Sequence, residues 1–391
     1  MPWREVSVME ERVAFVQLAQ QEGVNRRELC RRFGISADVG YKWLTRWAAG
    51  DRDLADRSRR PHSSPGRSSA ALEAAVLAVR DAHPAWGARK IVRCLEWQGE
   101  PPPAASTVHA ILARHGRIVP PRGGQAAASQ RFEREAPNSL WQMDFKGWVK
   151  LDDGTRCHPL TVLDDHSRFA LCLDACLNQT GDTVRQRLEK AFCLYGLPDA
   201  FFVDNGTPWG DPSGERWTRF GVWLLKLGID VLHSRPYHPQ SRGKNERFHR
   251  TLAAELFDLR RLHDIAEAQR AFDRWRHIYN FERPHQGIGQ AVPGSRYRPS
   301  PRAMPGRLPE PAYDEGEILR RVPTSKDYIS FKGRLWKVPQ AFRGELLAIR
   351  PTAEDGRYGI FFASHHIADI DLTRPKPVSH VPEQVSAISP D

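Results

Sequence analysis

Apolar residues recur every three or four positions through the first 50 residues, which predicts three short helices. The three segments read VMEERVAFVQLAQQEG, NRRELCRRFG and SADVGYKWLTRWAAG. Gly34 ends the second segment, and Ser36 is a suitable N-cap for the third. Two helices joined by a tight, glycine-containing turn are typical of a helix-turn-helix, which we assign to residues 1–50.

The third predicted helix combines basic and aromatic side chains. Trp43 and Trp47 are four residues apart and share a face, as core residues of a plain three-helix bundle would. Lys42 and Arg46 fall on the remaining surface, beside Tyr41. We predict that the tryptophans pack inward, and that Tyr41, Lys42 and Arg46 are candidate DNA contacts, with Lys42 and Arg46 facing outward.

Residues 51–69 show no periodicity and collect Pro, Ser, Gly and Arg, which indicates a linker. Arg57, Arg59 and Arg60 would let this segment lie along phosphates as a basic arm. A merely solvated linker is the alternative. We name the three arginines as candidate DNA contacts.

Apolar periodicity returns at residues 70–116, where three more helices predict a second helix-turn-helix domain. Ser106 or Thr107 is a candidate N-cap for the last of these helices. Residues 117–137 contain Pro-Pro and Gly-Gly pairs and are predicted to be another linker.

From residue 138 the pattern becomes that of an α/β domain, assigned to residues 138–283. Three strands joined by short turns precede a helix, strand, helix, strand and helix, which predicts a mixed sheet covered by helices. A Pro- and Gly-rich connection at 284–316 leads to short alternating runs at 317–375, which predict a small β-barrel. The predicted fold class is therefore multidomain.

The composition favours a polyanionic partner. Lys and Arg number 58 against 47 Asp and Glu, which gives a net charge of +11 and a pI near 9.6. The six cysteines contain no CxxC pair, which argues against a disulfide framework and a zinc site. Neither a membrane span nor a secretory signal is recognisable, so we expect a cytoplasmic protein without a membrane partner.

Three carboxylates occupy unexpected places. Asp144 interrupts an apolar strand, Asp204 follows another, and Glu246 stands within the basic stretch YHPQSRGKNERFHRTL. Simple surface exposure is the alternative for Asp144, and an ordinary Asp-Asn-Gly turn is the alternative for Asp204. Ligand sites of α/β sheets form at the carboxyl ends of strands, where carboxylates from two strands and one helix could converge.

Converging carboxylates point to a metal site. They would raise one another's pKa unless cations neutralised them. Hard divalent cations prefer oxygen ligands, and a pair of them can activate an attacking oxygen and stabilise a leaving one on a phosphate. We therefore predict that Asp144, Asp204 and Glu246 bind Mg²⁺, while the basic residues around Glu246 hold a phosphate backbone.

Four motifs resemble, in the same order, the catalytic core of bacterial insertion-sequence transposases of the retroviral-integrase superfamily. They read WQMDFKG, LTVLDDHSRF, FVDNG and YHPQSRGKNERFHRTL. The later YNFERPHQGIG resembles the segment that follows this core in the same transposases. The resemblance covers residues 135–300 strongly, the N-terminal helical region well, and the C-terminal region loosely.

The resemblance implies an RNase H-like fold with an Asp-Asp-Glu triad that binds two Mg²⁺ ions, or Mn²⁺. Carried over by motif, the catalytic and metal-binding residues are Asp144, Asp204 and Glu246. Glu215 is the alternative glutamate if the stretch between Asp204 and Glu246 holds no surface insertion. The implied activity is cutting of transposon ends and joining of their 3′-OH ends to target DNA.

The same motifs imply DNA contacts close to the triad. We expect contacts from His238, Gln240, Lys244, Arg247 and Arg250. Double-stranded DNA, as terminal inverted repeats and as target, is the expected partner, and a homo-oligomer on DNA at the nucleoid is the expected assembly.

Two neighbouring motifs leave alternatives open. Asp164 and Asp165 are candidates to reach the metal or to cap a turn, and RPHQ at 283–286 is a phosphate contact or a helix stop. Two other functions also fit part of the pattern. A catalytically silent DNA-binding protein would use the core as a scaffold, and a nuclease for RNA–DNA hybrids would share the triad without needing the helix-turn-helix domains.

Overall fold

A computed structural model of the chain describes residues 7–58, 67–118, 133–210, 217–233, 243–374 and 382–387. Two compact units can be distinguished, Met1–Ser68 and Ser69–Asp391. Within the described ranges, none of the helices combines the length and the apolar character that a membrane crossing requires.

The first unit contains three helices, α1 (Val8–Ala19), α2 (Arg26–Arg32) and α3 (Ala37–Ala48). The side chain of Ser36 accepts a hydrogen bond from the amide of Val39 at 3.3 Å, which confirms the predicted N-cap of α3. Gly34 adopts a φ of +66° in the turn between α2 and α3, a backbone conformation that favours glycine. The predicted helix-turn-helix is therefore formed.

The chain after α3 folds back onto the first unit. Leu54 is fully buried beside Phe15 and Trp43, and Nη1 of Arg12 donates to the carbonyl oxygen of Leu54 at 2.9 Å. Asp51 accepts hydrogen bonds from Arg46. Residues 51–56, which the composition alone assigns to a linker, therefore contribute to the core of this unit.

The second unit begins with three further helices, α4 (Ala70–Ala82), α5 (Ala88–Trp97) and α6 (Ala105–Arg114). Val76, Leu95 and Ile111 lie at the centre of their common core. The N-cap predicted for α6 is wrong, because the helix begins earlier than Ser106 and is capped by Ala104 without a side-chain hydrogen bond. The apolar periodicity located the helix correctly, but not its first turn.

Six strands form the predicted mixed sheet. They are β1 (Trp141–Phe145), β2 (Val149–Lys150), β3 (Arg156–Asp164), β4 (Ala170–Cys176), β5 (Ala200–Val203) and β6 (Asp230–His233). β4 pairs with β3 and β3 with β1 in antiparallel fashion, whereas β1 pairs with β5 and β5 with β6 in parallel. The short strand β2 also pairs with β3, after a turn at Gly147.

Helices cover both faces of this sheet. They are α7 (Gly181–Tyr195), α8 (Arg219–Lys226), α9 (Gly243–Leu252), which continues into a π-helical turn (Ala253–Phe257), and α10 (Ile265–Phe281). α7 and α8 pack on one face through residues such as Phe192 and Trp223. α9 and α10 pack on the other face through residues such as Phe248 and Trp275.

The C-terminal strands form two sheets. They are β7 (Ile318–Arg321), β8 (Tyr328–Phe331), β9 (Arg334–Lys337), β10 (Leu346–Pro351), β11 (Arg357–Phe362), β12 (His365–Asp371), β13 (Glu383–Gln384) and β14 (Ser386–Ala387). One sheet has the order β14-β12-β11-β10-β7 and the other has the order β13-β9-β8. The sequence predicted a small β-barrel, but the strands that the structure describes do not form a closed barrel. The shared apolar core includes Val222 and Leu225, so this domain is anchored to α8.

Candidate active site

Asp144 is a residue of β1, and Asp204 directly follows the neighbouring strand β5. β1 and β5 run parallel, and their pairing joins Trp141 to Phe201 and Gln142 to Phe202. Asp144 is two residues beyond Gln142, and Asp204 is two residues beyond Phe202, directly after β5. Continuing the register therefore places the two aspartates side by side at the carboxyl ends of their strands, where the ligand sites of such sheets form.

Both aspartates belong to the same face of the sheet. Side chains alternate between the two faces along a strand, and the preceding residues, Met143 and Val203, are buried in the core made with α7 and α8. Asp144 and Asp204 therefore belong to the opposite face, which α9 and α10 cover. Glu246 is a residue of α9, so all three predicted acids lie on this side of the sheet.

The loop after Asp204 is held close to the end of β1. The amide of Gly206 donates to Oδ1 of Asp204 at 2.9 Å, so the Asp-Asn-Gly turn forms. Phe145, the neighbour of Asp144, stacks on Trp209 with ring centroids 5.9 Å apart. The turn and a metal site at Asp204 do not exclude each other, because Asp204 directly follows β5 in either case.

A hydrogen-bond chain connects α9 to the strand of Asp144. Oγ1 of Thr161 on β3 donates to the carbonyl oxygen of Asp144 at 2.9 Å, and Nε2 of His249 lies 2.9 Å from the same Oγ1. Glu246 precedes His249 by three residues and is therefore its neighbour on the helix surface. Burial, with a smaller effect from the charge of Lys146, lowers the pKa of His249 to about 4.

Glu246 remains at the surface of α9. Its side chain is 72% exposed, and Oε1 accepts a hydrogen bond from Nη2 of Arg250 at 3.1 Å. Within the described ranges, no three His, Cys, Asp or Glu side chains are placed together so that they could hold a metal ion. The predicted convergence of the three acids is therefore not present in this structure, in which Glu246 is paired with Arg250.

The two aspartates at the end of β3 serve different purposes. Oδ1 of Asp164 accepts hydrogen bonds from the amide and hydroxyl of Ser167, so Asp164 caps the turn as predicted. The carboxylate of Asp165 binds residues outside the turn instead. Its Oδ1 accepts from Nε2 of Gln142 at 2.7 Å and from Nζ of Lys244 at 2.5 Å, which connects the β3–β4 turn to β1 and to α9.

Lys244 points inward, contrary to the prediction that it touches DNA. Its side chain is only 17% exposed, because the ammonium group is bound to the fully buried carboxylate of Asp165. Burial lowers the pKa of Lys244, and the hydrogen bond to Asp165 opposes this shift. Arg247 and Arg250, in contrast, are exposed on the outer surface of α9.

Arg283 of the RPHQ motif also points inward. Its Nε donates to Oε1 of Glu255 at 2.8 Å, and both side chains are 9% exposed. α10 ends at Phe281, two residues earlier. The motif therefore follows the end of a helix and forms a buried ion pair, which favours the helix-stop alternative over a phosphate contact for Arg283.

The predicted DNA contacts in the first unit separate into exposed and buried residues. Tyr41 and Lys42 are exposed on α3, and Arg57 is exposed after it. Arg46 is buried, because Nε and Nη2 donate to the carboxylate of Asp51 and Nη2 also donates to the carbonyl oxygen of Ala55. The prediction that Arg46 faces outward is therefore wrong.

The remaining predicted site residues fall outside the part of the chain that the structure describes. These residues are Arg59, Arg60, Glu215, His238 and Gln240. Their assignments stay predictions.

The sequence reasoning missed four residues that support the site. Gln142, Thr161, His249 and Glu255 each bind a partner from a distant part of the chain. A polar residue two positions from a predicted acid, on the same face of a strand, is the signal that could have indicated Gln142. The sequence contains no comparable pattern for a long-range partner such as Glu255, which binds Arg283.

Comparison with known protein families agrees with this arrangement. Residues 134–239 and 227–293 match models described as an integrase core domain, and residues 319–377 match the C-terminal domain of IS481 family transposases. The chain therefore contains an integrase core domain, followed by a domain like the C-terminal domain of IS481 family transposases. Residues 11–62 match a helix-turn-helix domain, and residues 39–112 match a homeodomain-like domain.

Two curated relatives of this chain are insertion-element proteins. The chain is 29% identical over 157 residues to the insertion element IS476 uncharacterized 39.2 kDa protein of Xanthomonas euvesicatoria, which is 40% of this chain and 43% of the relative. It is 27% identical over 158 residues to the insertion element IS407 uncharacterized 31.7 kDa protein of Burkholderia multivorans, which is 40% of this chain and 54% of the relative. The chain thus spans about half the length of the curated relatives that it matches.

Among solved structures, the chain is similar to a chain of the simian T-cell lymphotropic virus intasome in complex with the PP2A regulatory subunit B56 gamma. The sequence identity is 17% and the TM-score is 0.37, and the match covers 74% of this chain and 97% of that chain.

Proposed function

We propose that this chain is a DNA transposase that cleaves the ends of a mobile element and joins their 3′-OH ends to target DNA. The observation that carries the proposal is the position of Asp144 beside Asp204, on the sheet face covered by the helix of Glu246. Helix-turn-helix domains ahead of an integrase core support DNA as the substrate.

The acids present suit a divalent metal site. Asp144 and Asp204 offer carboxylate oxygens, the ligands that Mg²⁺ and Mn²⁺ prefer. Glu246 would complete the set after leaving Arg250, and an exposed ion pair between residues four apart on a helix is weak. When bound, two such ions would supply Lewis acidity for the attacking and leaving oxygens of the phosphodiester.

The chain's own residues would hold the DNA. Arg247 and Arg250 are exposed beside Glu246 and would neutralise phosphates of the DNA end at the site. Tyr41 and Lys42 on α3 would contact the terminal inverted repeats as part of a recognition helix. Because two ends must be joined together, we expect a homo-oligomer that assembles on DNA in the cytoplasm.

A strand-transfer assay tests the proposal. The full chain, Mg²⁺ and a labelled duplex of the element's terminal repeat are incubated beside Asp144→Asn, Asp204→Asn and Glu246→Gln variants. Glu189→Gln is the matched control, because Glu189 forms the same kind of helical ion pair with Arg185, on α7. We expect joined product from the parent and the control alone, with DNA binding by all five proteins.

Two outcomes would overturn the proposal. If Glu246→Gln joined DNA at the parental rate, Glu246 would not be a residue of the active site. Specific DNA binding without any joined product from the parent would favour a catalytically silent DNA-binding protein. An RNA–DNA hybrid added as a second substrate distinguishes a hybrid nuclease, which would cut the hybrid and leave the DNA duplex intact.

A further inference from the structure

One buried carboxylate joins the strand of Asp144 to the helix of Glu246. Gln142 precedes Asp144 by two residues on β1, and Lys244 precedes Glu246 by two residues on α9. Both donate to Oδ1 of Asp165, from Nε2 at 2.7 Å and from Nζ at 2.5 Å. The same atom of Asp165 therefore contacts a close neighbour of each of two proposed metal ligands.

The bonds of Asp165 leave this carboxylate little freedom to move. Oδ2 accepts from the amide of Arg134 at 2.8 Å, and the amide of Asp165 donates to the carbonyl oxygen of Leu140 at 2.9 Å. The carbonyl oxygen of Asp165 accepts a second contact from Nζ of Lys244 at 3.2 Å. The side chain is fully buried, so the attraction between its charge and the ammonium group is weakly screened.

We propose that Asp165 is a positioning residue, which sets the distance between Asp144 and Glu246 by holding Gln142 and Lys244 together. Two residues span about 6.6 Å of a strand and about 3 Å of a helix. Both acids are therefore rigidly connected to the Asp165 contact through regular backbone. This inference rests on the proposed function of the three acids as metal ligands.

Loss of the Asp165 charge would act on the site through Lys244. Asparagine at this position would leave the ammonium group without its ion-pair partner in a buried position, which is unfavourable. Lys244 would then turn towards water and shift the first turn of α9, which carries Glu246. Residues that orient metal ligands change metal affinity by about 10- to 100-fold when they are removed.

Asp164 provides a matched control. It is as deeply buried as Asp165, with 1% exposure for each residue. Its carboxylate accepts hydrogen bonds from the amide of Asn138 and from Ser167, which lie before β1 and in the β3–β4 turn. Asp164→Asn therefore removes a buried charge from the same turn without removing the partner of Lys244.

The test measures metal binding and stability separately. Binding of Mn²⁺ to the full chain is titrated by electron paramagnetic resonance, beside the Mg²⁺ midpoint of strand transfer and the Tm. We expect Asp165→Asn to weaken Mn²⁺ binding about tenfold or more and to raise the Mg²⁺ midpoint by a similar factor. Asp164→Asn should lower the Tm. Its Mn²⁺ affinity and its Mg²⁺ midpoint of strand transfer should both stay within about twofold of the parent values.

Lys244→Met makes the same test if Asp165→Asn does not fold, and the expected loss of Mn²⁺ affinity is similar. Two outcomes would overturn the inference. One is an equal change in Mn²⁺ affinity and Mg²⁺ midpoint for the Asp164 and Asp165 variants, and the other is parental Mn²⁺ affinity in both Asp165→Asn and Lys244→Met. A parent that binds Mn²⁺ but joins no DNA would instead contradict the proposed function, and the Mn²⁺ titration would still decide the role of Asp165.

Discussion

His249 on α9 and Thr161 on β3 are joined by a hydrogen bond of 2.9 Å between Nε2 and Oγ1. The hydroxyl of Thr161 donates to the carbonyl oxygen of Asp144, so its oxygen accepts the proton of Nε2. The imidazole is therefore the neutral Nε2–H tautomer, and burial lowers its pKa to about 4. This contact attaches the helix of Glu246 to the strand of Asp144.

The state of His249 predicts how stability depends on pH. In the unfolded chain the imidazole takes up a proton below about pH 6.5, whereas in the folded chain it does so only near pH 4. The free energy of unfolding should therefore fall as the pH falls from 6.5 to 4, with His249 contributing a loss on the order of 3 kcal/mol. His249→Gln should show a shallower fall in urea unfolding over this range.

His277→Gln is the control for this prediction, because the side chain of His277 is 65% exposed on α10. We expect its pH dependence to match that of the parent. Parallel curves for the parent and His249→Gln would show that the imidazole is not held neutral at Thr161.

Because Arg46 is buried, we expect its substitution to lower local stability rather than to lower DNA affinity selectively. Arg46→Ala removes the hydrogen bonds to Asp51 and Ala55, at a cost of about 2 kcal/mol. Hydrogen exchange of the α3 amides in the full chain should then accelerate about 30-fold. Lys42→Ala should leave this exchange unchanged and weaken DNA binding, because Lys42 is exposed. Parental exchange rates in Arg46→Ala would contradict the buried position.

The ion pair of Arg283 and Glu255 predicts a stabilising role for the RPHQ motif. Arg283→Met would leave the carboxylate of Glu255, which is 9% exposed, with Lys90 at 4.0 Å as its ion-pair partner among the described residues. Since breaking a buried ion pair costs about 3 kcal/mol or more, the urea midpoint should fall markedly. Arg270→Met, an exposed change on α10, should leave it unchanged.

The salt dependence of DNA binding distinguishes the two interpretations of Arg283. A phosphate contact would contribute to the slope of log affinity against log salt concentration, by about one unit. We expect Arg283→Met to keep the parental slope. A reduced slope with unchanged stability would restore the phosphate contact.

Secondary structure followed from the sequence where a periodic apolar pattern met a clear end signal. α3 illustrates this, because Ser36 caps a helix whose apolar stripe reaches Trp43. α6 shows the limit, since Ala104 caps it without the side-chain bond that Ser106 could have supplied. The prediction of a β-barrel was wrong for another reason. Alternating patterns indicate strands, but they do not decide which strands pair to close a sheet.

By itself, the sequence determined the order of the helical, mixed and all-β domains, and it singled out Asp144, Asp204 and Glu246 as acids in unexpected places. Only the tertiary structure decided which polar residues face a ligand. The parallel pairing of β1 with β5 sets two acids side by side, and Lys244 turns inward because Asp165, 79 residues away, provides a buried opposite charge. The physical reason is that charge type is local to a residue, whereas burial and ion pairing depend on segments brought together by folding.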